Sequence, residues 1–157
     1  MGSPILFSSL HPCAQLNRLN YIYWEISIMK ESVEDRNKAV IRRWVDEMYA
    51  EARWELMKEL AGPLYIRHEP TGTFTVTVEE QMELLKDRYS GREEAQNREV
   101  SYQLFAEGDK VCMIGTFRGS RKGGESNDVY NYVQVFRLEY GKIVEIWFPG
   151  FVKNVEW

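Results

Sequence analysis

The chain has 157 residues, enough for one domain with a substantial core. Its net charge of −4 and the absence of any long basic cluster exclude the concentrated Lys and Arg that phosphate contacts require, so nucleic acid is not an expected partner. No apolar run approaches the ~18 residues of a membrane-spanning helix, and Met1 to Leu10 lacks the basic start and long apolar stretch of a secretory signal.

Cys13 and Cys112 are far apart and follow no metal or redox spacing, which reads as free thiols in a cytoplasmic protein. A single histidine inside the domain, no paired cysteines and no Gly-rich loop ahead of a helix imply neither a metal nor a nucleotide cofactor. Five Trp and nine Tyr raise the aromatic content to 13%, and such side chains line ligand cavities as well as cores.

Residues 1–30 read as an N-terminal extension to a domain over 31–157. Pro4, Ser8, Ser9 and Pro12 make its start loop-like, and Tyr21, Tyr23 and Trp24 form a short apolar patch. Such a segment is either untethered or docked on the domain or a second subunit, and Met29 is an alternative natural start. From Ser32, a capping-box-like Ser-Val-Glu-Asp opens an amphipathic helix carrying Val40, Ile41, Trp44, Val45, Met48 and Tyr49 at helical spacing. A second helical segment with Trp54, Met57 and Leu60 on one face runs to Gly62-Pro63. Leu64 to Pro70 is extended, Thr73 to Thr77 a loop or edge strand, and Thr77-Val-Glu-Glu80 a capping box for a third helix closed by Ser90-Gly91.

From Arg98 on, every element reads as strand. A hairpin through Gly108-Asp109 puts Tyr102, Leu104, Val111, Met113 and Phe117 on one face. A Gly- and Ser-rich loop follows over 119–127, then a second hairpin through Tyr140-Gly141. With unbroken alternation, one side of that hairpin shows Tyr132, Gln134, Phe136, Leu138, Ile143, Glu145 and Trp147; the other shows Val133, Val135, Arg137, Val144 and Ile146. The first side mixes large aromatics with Gln134 and Glu145, which suits a pocket wall. The order implies an α+β domain: about three N-terminal helices packed on a curved, mostly antiparallel sheet, with a pocket between them.

This chain resembles the SnoaL-like polyketide cyclases of the nuclear transport factor 2-like superfamily from about Arg36 to Lys153. The carriers are Arg42-Arg-Trp-Val-Asp-Glu47, Tyr65-Ile-Arg-His-Glu-Pro70, Phe105-Ala-Glu-Gly-Asp-Lys-Val111 and, above all, Phe136-Arg137 followed by Gly141-Lys142-Ile143, Glu145 and Trp147. The resemblance implies the cone-shaped fold, a hydrophobic small-molecule ligand, a homodimer and no cofactor. It also implies a choice among cyclase, isomerase, dehydratase, epoxide hydrolase and non-enzymatic binding module. Cyclases of this group use a His and an Asp, but this chain has Phe151 where the Asp is expected and no His near Arg118.

Histidine as a residue type can exchange a proton near neutral pH, so His68, at a common family position, is the acid–base candidate; its alternative role is capping the following turn. Glu145 on the aromatic hairpin face is expected to be desolvated with a raised pKa, or else to serve as structural partner to an arginine. Tyr65, Tyr102, Tyr130 and Tyr132 are candidate donors to a substrate oxygen. Gln134 would orient a ligand carbonyl, and Met113, Phe136, Trp147 and Phe151 complete the expected lining. A hydrophobic small molecule undergoing isomerisation, cyclisation or dehydration is the first reading. A non-catalytic binder or dimerisation module and an epoxide hydrolase are the alternatives. The apolar hairpin face Val133, Val135, Val144, Ile146 and Phe148 gives the homodimer a physical reason.

Overall fold

In the computed structural model, which describes residues 31–89, 99–118 and 128–155, helix α1 (Val33–Arg43) carries Glu34 and Asp35 in its first turn and Arg42 and Arg43 in its last, matching the helix dipole. Its flank docks on the first hairpin turn: Asn37 Nδ2 donates to the Gly108 carbonyl at 3.1 Å, and the Gly108 N–H donates to Glu34 Oε1 at 3.1 Å. The chain then widens into one π turn over Trp44–Tyr49, with the Ala50 N–H reaching back to Val45 O at 3.0 Å. That turn buries Trp44, Val45 and Met48.

A short 3₁₀ turn, Trp54–Leu56, leads into α2 (Met57–Leu60). The expected helical end at Gly62-Pro63 comes earlier, because Ala61 is already extended and begins strand β1 (Ala61–Glu69). Pro63 is accommodated there because the ladder to the neighbouring strand shifts register between Ala61 and Ile66. Strand β2 (Gly72–Thr77) is the sheet edge, and helix α3 (Val78–Tyr89) begins with a reciprocal capping box. The Glu80 N–H donates to Thr77 Oγ1 at 3.1 Å, and the Thr77 N–H donates to Glu80 Oε2 at 2.9 Å. These bonds, the backbone one first, draw the Glu80 carboxyl below its ordinary pKa.

Strands β3 (Glu99–Glu107), β4 (Lys110–Arg118), β5 (Val129–Glu139), β6 (Lys142–Trp147) and β7 (Phe151–Lys153) complete one sheet. Its order is β2-β1-β6-β5-β4-β3, with β7 paired to β5, and the β1–β6 seam is parallel while the other pairs are antiparallel. The fold is therefore three helical segments on a curved, mostly antiparallel sheet. The core between them holds Ile41, Trp44, Met48, Met57, Leu85, Phe136, Ile143 and Ile146. Residues 1–30, the end of the third helix at Ser90-Gly91 and the 119–127 loop lie outside the described residues.

The β3–β4 hairpin keeps the expected register, Glu107 opposite Lys110 and Leu104 opposite Met113. The β5–β6 hairpin does so only at its turn. Tyr140 (φ 51°) and Gly141 (φ 74°) are both left-handed, the geometry a two-residue hairpin favours, and Glu139 faces Lys142. Beyond Leu138–Ile143, however, Val144 has no partner and Arg137 pairs with Glu145. This one-residue bulge reverses the facing of everything after it. Ile146 turns into the core at 0% exposure, while Glu145 and Trp147 join Arg137 on the outer face. The expectation that Glu145 and Trp147 share a face with Gln134 and Phe136 is thereby corrected.

The bulge turns Ile146 into the core, so Ile146→Ala is expected to lose roughly 2–5 kcal/mol, the scale of truncating a fully buried aliphatic side chain. Urea unfolding followed by circular dichroism checks this, and wild-type stability in the variant would contradict it.

Candidate functional site

A cavity of about 570 Å³ lies between the sheet and the helices, within the range of small-molecule sites. Trp44, Val45, Tyr49 and Ala50 line it from the π turn, and Gln81, Leu85 and Arg88 from one face of α3. Arg67, Glu69 and Pro70 come from β1 and the turn after it, Val100 from β3, Met113 and Phe117 from β4, and Tyr130, Tyr132 and Gln134 from β5. Phe148, Gly150 and Phe151 close it after β6.

Strand alternation decides which polar groups enter. Along β1, Tyr65, Arg67 and Glu69 turn inward, and Leu64, Ile66 and His68 outward. Arg67 Nε and Nη2 both reach Glu69 Oε1, at 2.7 and 2.6 Å, with the side chains 13% and 32% exposed. Burial works against the Arg67 charge, but the adjoining Tyr49 and Tyr65 phenols and the Glu69 carboxylate outweigh it and raise its pKa. The pair takes only one carboxylate oxygen, leaving Glu69 Oε2 and most of the guanidinium donors uncommitted. Behind them the buried Tyr65 hydroxyl has no hydrogen-bond partner among the described residues. Burial raises its pKa, and the nearby Arg67 opposes that without reaching hydrogen-bonding geometry.

Across the cavity, burial pushes the Tyr132 phenol up to about 12, so it stays a donor at neutral pH. Its ring lies against β4 where Gly115 has no side chain: a Cβ there would meet Tyr132 Cζ at 2.6 Å. Neither the Tyr132 hydroxyl nor the Gln134 amide is hydrogen-bonded to another described side chain. Tyr130 donates to the buried Asp128 Oδ2 at 3.0 Å, and Lys153 balances that carboxylate at 2.7 Å.

Of the residues expected in the site, Met113, Tyr132, Gln134 and Phe151 line the cavity. Phe136 is fully buried beneath it, edge-on to Trp44, and Tyr65 is buried beside Arg67. Tyr102 is committed elsewhere: it donates to Asp46 Oδ2 at 2.7 Å, and burial with that bond raises its pKa.

His68, Glu145 and Trp147 lie on the opposite face, away from the lining. His68 Nε2 meets Glu145 Oε1 at 2.8 Å, its Nδ1 meets Thr73 Oγ1 at 3.0 Å, and its ring stacks on Trp147 at 5.1 Å. Arg137 Nε donates to Glu145 Oε2 at 2.7 Å and Nη1 donates to Glu139. The expected raised pKa of Glu145 is reversed: the His68 bond, and after it Arg137, hold the carboxyl below its usual value against the effect of burial. Arg67 and Glu69 are the polar pair that the expectation missed. The signal was present, since placing Tyr65 in the pocket on an unbroken strand requires Arg67 and Glu69 beside it and His68 outside.

The family model for the SnoaL-like domain matches residues 41–146. Among curated proteins none matches the chain. Several solved structures share the fold. A protein assigned as a polyketide cyclase from Acidithiobacillus ferrooxidans has 18% identity and a TM-score of 0.62, over 78% of this chain and 91% of that one. An LEH-like epoxide hydrolase from M. tuberculosis has 15% identity and a TM-score of 0.60, over 77% and 86%. A protein assigned as a ketosteroid isomerase from Kribbella flavida has 13% identity and a TM-score of 0.59, over 78% and 82%.

The outer cluster has a pH signature. Because the folded pKa of Glu145 is depressed, its contribution to stability is present above the unfolded carboxylate pKa and is lost as pH falls through the folded value. Glu145→Gln is therefore expected to cost roughly 1–3 kcal/mol near neutral pH, the worth of hydrogen bonds to a charged group, with the gap to wild type closing in acid. Urea midpoints measured from pH 7 down to pH 3 check this, and a pH-independent gap would contradict it.

Proposed function

The chain belongs to the SnoaL-like domain family, and we propose that it is a cofactor-independent enzyme that moves a proton on a largely apolar small molecule held in the cavity. The observation that carries this is the Arg67–Glu69 pair inside an otherwise mostly apolar and aromatic space. In this reading a substrate oxygen sits on the uncommitted guanidinium donors of Arg67, with Tyr132 and Gln134 as further donors. Glu69 Oε2 takes the proton from the carbon next to that carbonyl. The C–H bond breaks, its electron pair moves into the enolate, and Arg67 stabilises the oxygen charge. Returning the proton to another position isomerises the molecule; alternatively the enolate carbon attacks a second carbonyl, whose π pair moves to its oxygen, and Glu69 gives that alkoxide the proton, which closes the ring. Polyketide-like or terpenoid-like molecules of secondary metabolism suit such a cavity, and the free Cys112 thiol suits a reducing cytoplasm.

Two rival readings fare differently. Phe151, standing where cyclases carry an Asp, supports a non-catalytic binder. An epoxide hydrolase needs two carboxylates on one water, and Glu69 is the sole carboxylate among the described lining residues.

The test uses 2-decalone, a two-ring ketone, in deuterated buffer, with α-proton exchange followed by NMR. Wild type is expected to accelerate exchange, with Glu69→Gln lowering the rate at least ~100-fold, the usual scale of general-base loss, and with His68→Ala retaining it. Exchange undiminished in Glu69→Gln would remove Glu69 from the chemistry; no exchange in wild type, with binding retained, would favour the binder.

A homodimer through the outer sheet face is part of the proposal. Leu64, Phe105 and Ile114 are exposed there, and Val133, Val135, Val144 and Trp147 are half-buried. Ile146 and Phe148, expected on that face, are turned inward by the bulge. Light scattering should give twice the 18.5 kDa of the chain, and Ile114→Lys should shift it to the monomer mass. A wild-type mass of one chain would end the dimer proposal.

A further inference from the structure

Charge within the cavity is unevenly balanced. Its lining carries Arg67, Arg88 and Glu69, and the Arg67 charge is matched by Glu69 at 2.6 Å. Arg88 is an exposed residue of the lining and makes no ion pair or hydrogen bond with another described residue. Among the described lining residues there is therefore one cation in excess, although the chain as a whole carries −4. A concave site with apolar walls concentrates the field of such a charge toward whatever enters.

The helix that presents Arg88 also presents a donor. Gln81, Leu85 and Arg88 stand at helical spacing on one face of α3, and all three line the cavity. Gln81 is 6% exposed, yet its carboxamide is hydrogen-bonded to no other described residue. The amide atoms reach the space of the cavity, so a ligand entering there can take the hydrogen bond that water would otherwise make. The role of completing the helix C-terminus, where cations are favoured, is shared by Lys86, and Lys86 is engaged by Glu83 at 2.7 Å away from the lining. Arg88 differs in sharing its helix face with Gln81 and Leu85.

We infer that the cavity's ligand is a monocarboxylate on an apolar body, with the carboxylate paired to Arg88, Gln81 donating to it, and the body packed against Trp44, Leu85 and Phe117. Guanidinium is suited to the task because its planar fork matches a carboxylate with two parallel hydrogen bonds. The inference rests on the cavity being the ligand site proposed above and adds the chemical class of what it takes. In that arrangement the acid is an anchor on α3, and the reacting carbonyl remains at Arg67 and Glu69.

The experiment compares 1-adamantanecarboxylate with 1-adamantanecarboxamide, two compact cages of nearly equal size that differ in charge at neutral pH. Binding is read by titration calorimetry on the whole chain in low salt. The carboxylate is expected to bind roughly tenfold more tightly than the amide, as a charge-assisted pair implies. Arg88→Gln should bring the two within about twofold by removing that pair; unchanged carboxamide affinity in the variant shows that the cavity is intact. Equal binding of both probes to wild type would overturn the acid class and leave the cavity standing as a ligand site. A preference that survives Arg88→Gln would overturn the assignment to Arg88. Binding of neither probe would overturn the cavity reading and the inference with it.

Discussion

In the β5–β6 hairpin, Val144 has no partner across the ladder, and the offset it creates fixes which side chains the second strand sends into the cone. Side chains alternate with period two, so a single inserted residue exchanges the two faces from that point onward. The alternative facing would bury the Glu145 carboxylate and expose Ile146. Burying an aliphatic side chain of that size contributes about 1.5–3 kcal/mol, while an inward carboxylate without a fixed partner costs more than that. Both terms favour the bulge, which leaves Ile143 and Ile146 at 0% exposure.

The same offset organises the neighbouring strand. At the parallel seam Ile66 lies opposite Glu145, Arg67 opposite Ile146 and His68 opposite Trp147. Once Glu145 and Trp147 face outward, His68 can bond the one and stack on the other, and the Phe148 N–H closes the seam on His68 O at 2.8 Å. Those outer contacts hold the register at which Arg67 points inward over Ile146. Two polar clusters thus sit back to back on one strand. His68 with Glu145 and Arg137 secures the seam, and Arg67 with Glu69 faces the cavity.

The architecture was legible because its signals are local. Period-3.6 apolar spacing marks α1, the Thr77–Glu80 box marks the start of α3, and the two-residue turns mark both hairpins. Family resemblance through Phe136-Arg137 and the Gly141–Trp147 string supplied the same fold. The site was legible only where alternation ran unbroken, as along β4 and β5 to Met113, Tyr132 and Gln134. Bulges have no strong signature in one sequence, since Ile143-Val-Glu-Ile-Trp-Phe148 is apolar in either parity except at Glu145. That one charge was the clue, and an outward preference for a carboxylate on a core strand would have read it. On β1 the clue was internal consistency: Tyr65 and His68, three residues apart, lie on opposite faces of a regular strand.

The cavity itself follows from what the helices and β4 leave unfilled. Helix α2 has only four residues, and the π turn widens the chain at Trp44–Tyr49, so aromatic bulk stands around the space without closing it. On the sheet side Gly115 lets the Tyr132 ring lie back against β4, where any Cβ would drive it into the void. Into this low-dielectric space the chain sets an arginine whose partner uses one oxygen. In water such donors would be saturated by solvent and their pull on a ligand screened. Here, among Trp44, Leu85, Phe117 and Phe148, each uncommitted N–H of Arg67 acts on whatever displaces the water, at a far greater strength than on the surface. The pair is therefore a poor device for stability, which a well-packed apolar pair would serve as well. In the function proposed above, its uncommitted donors are what hold the oxygen of the molecule that fills the cavity.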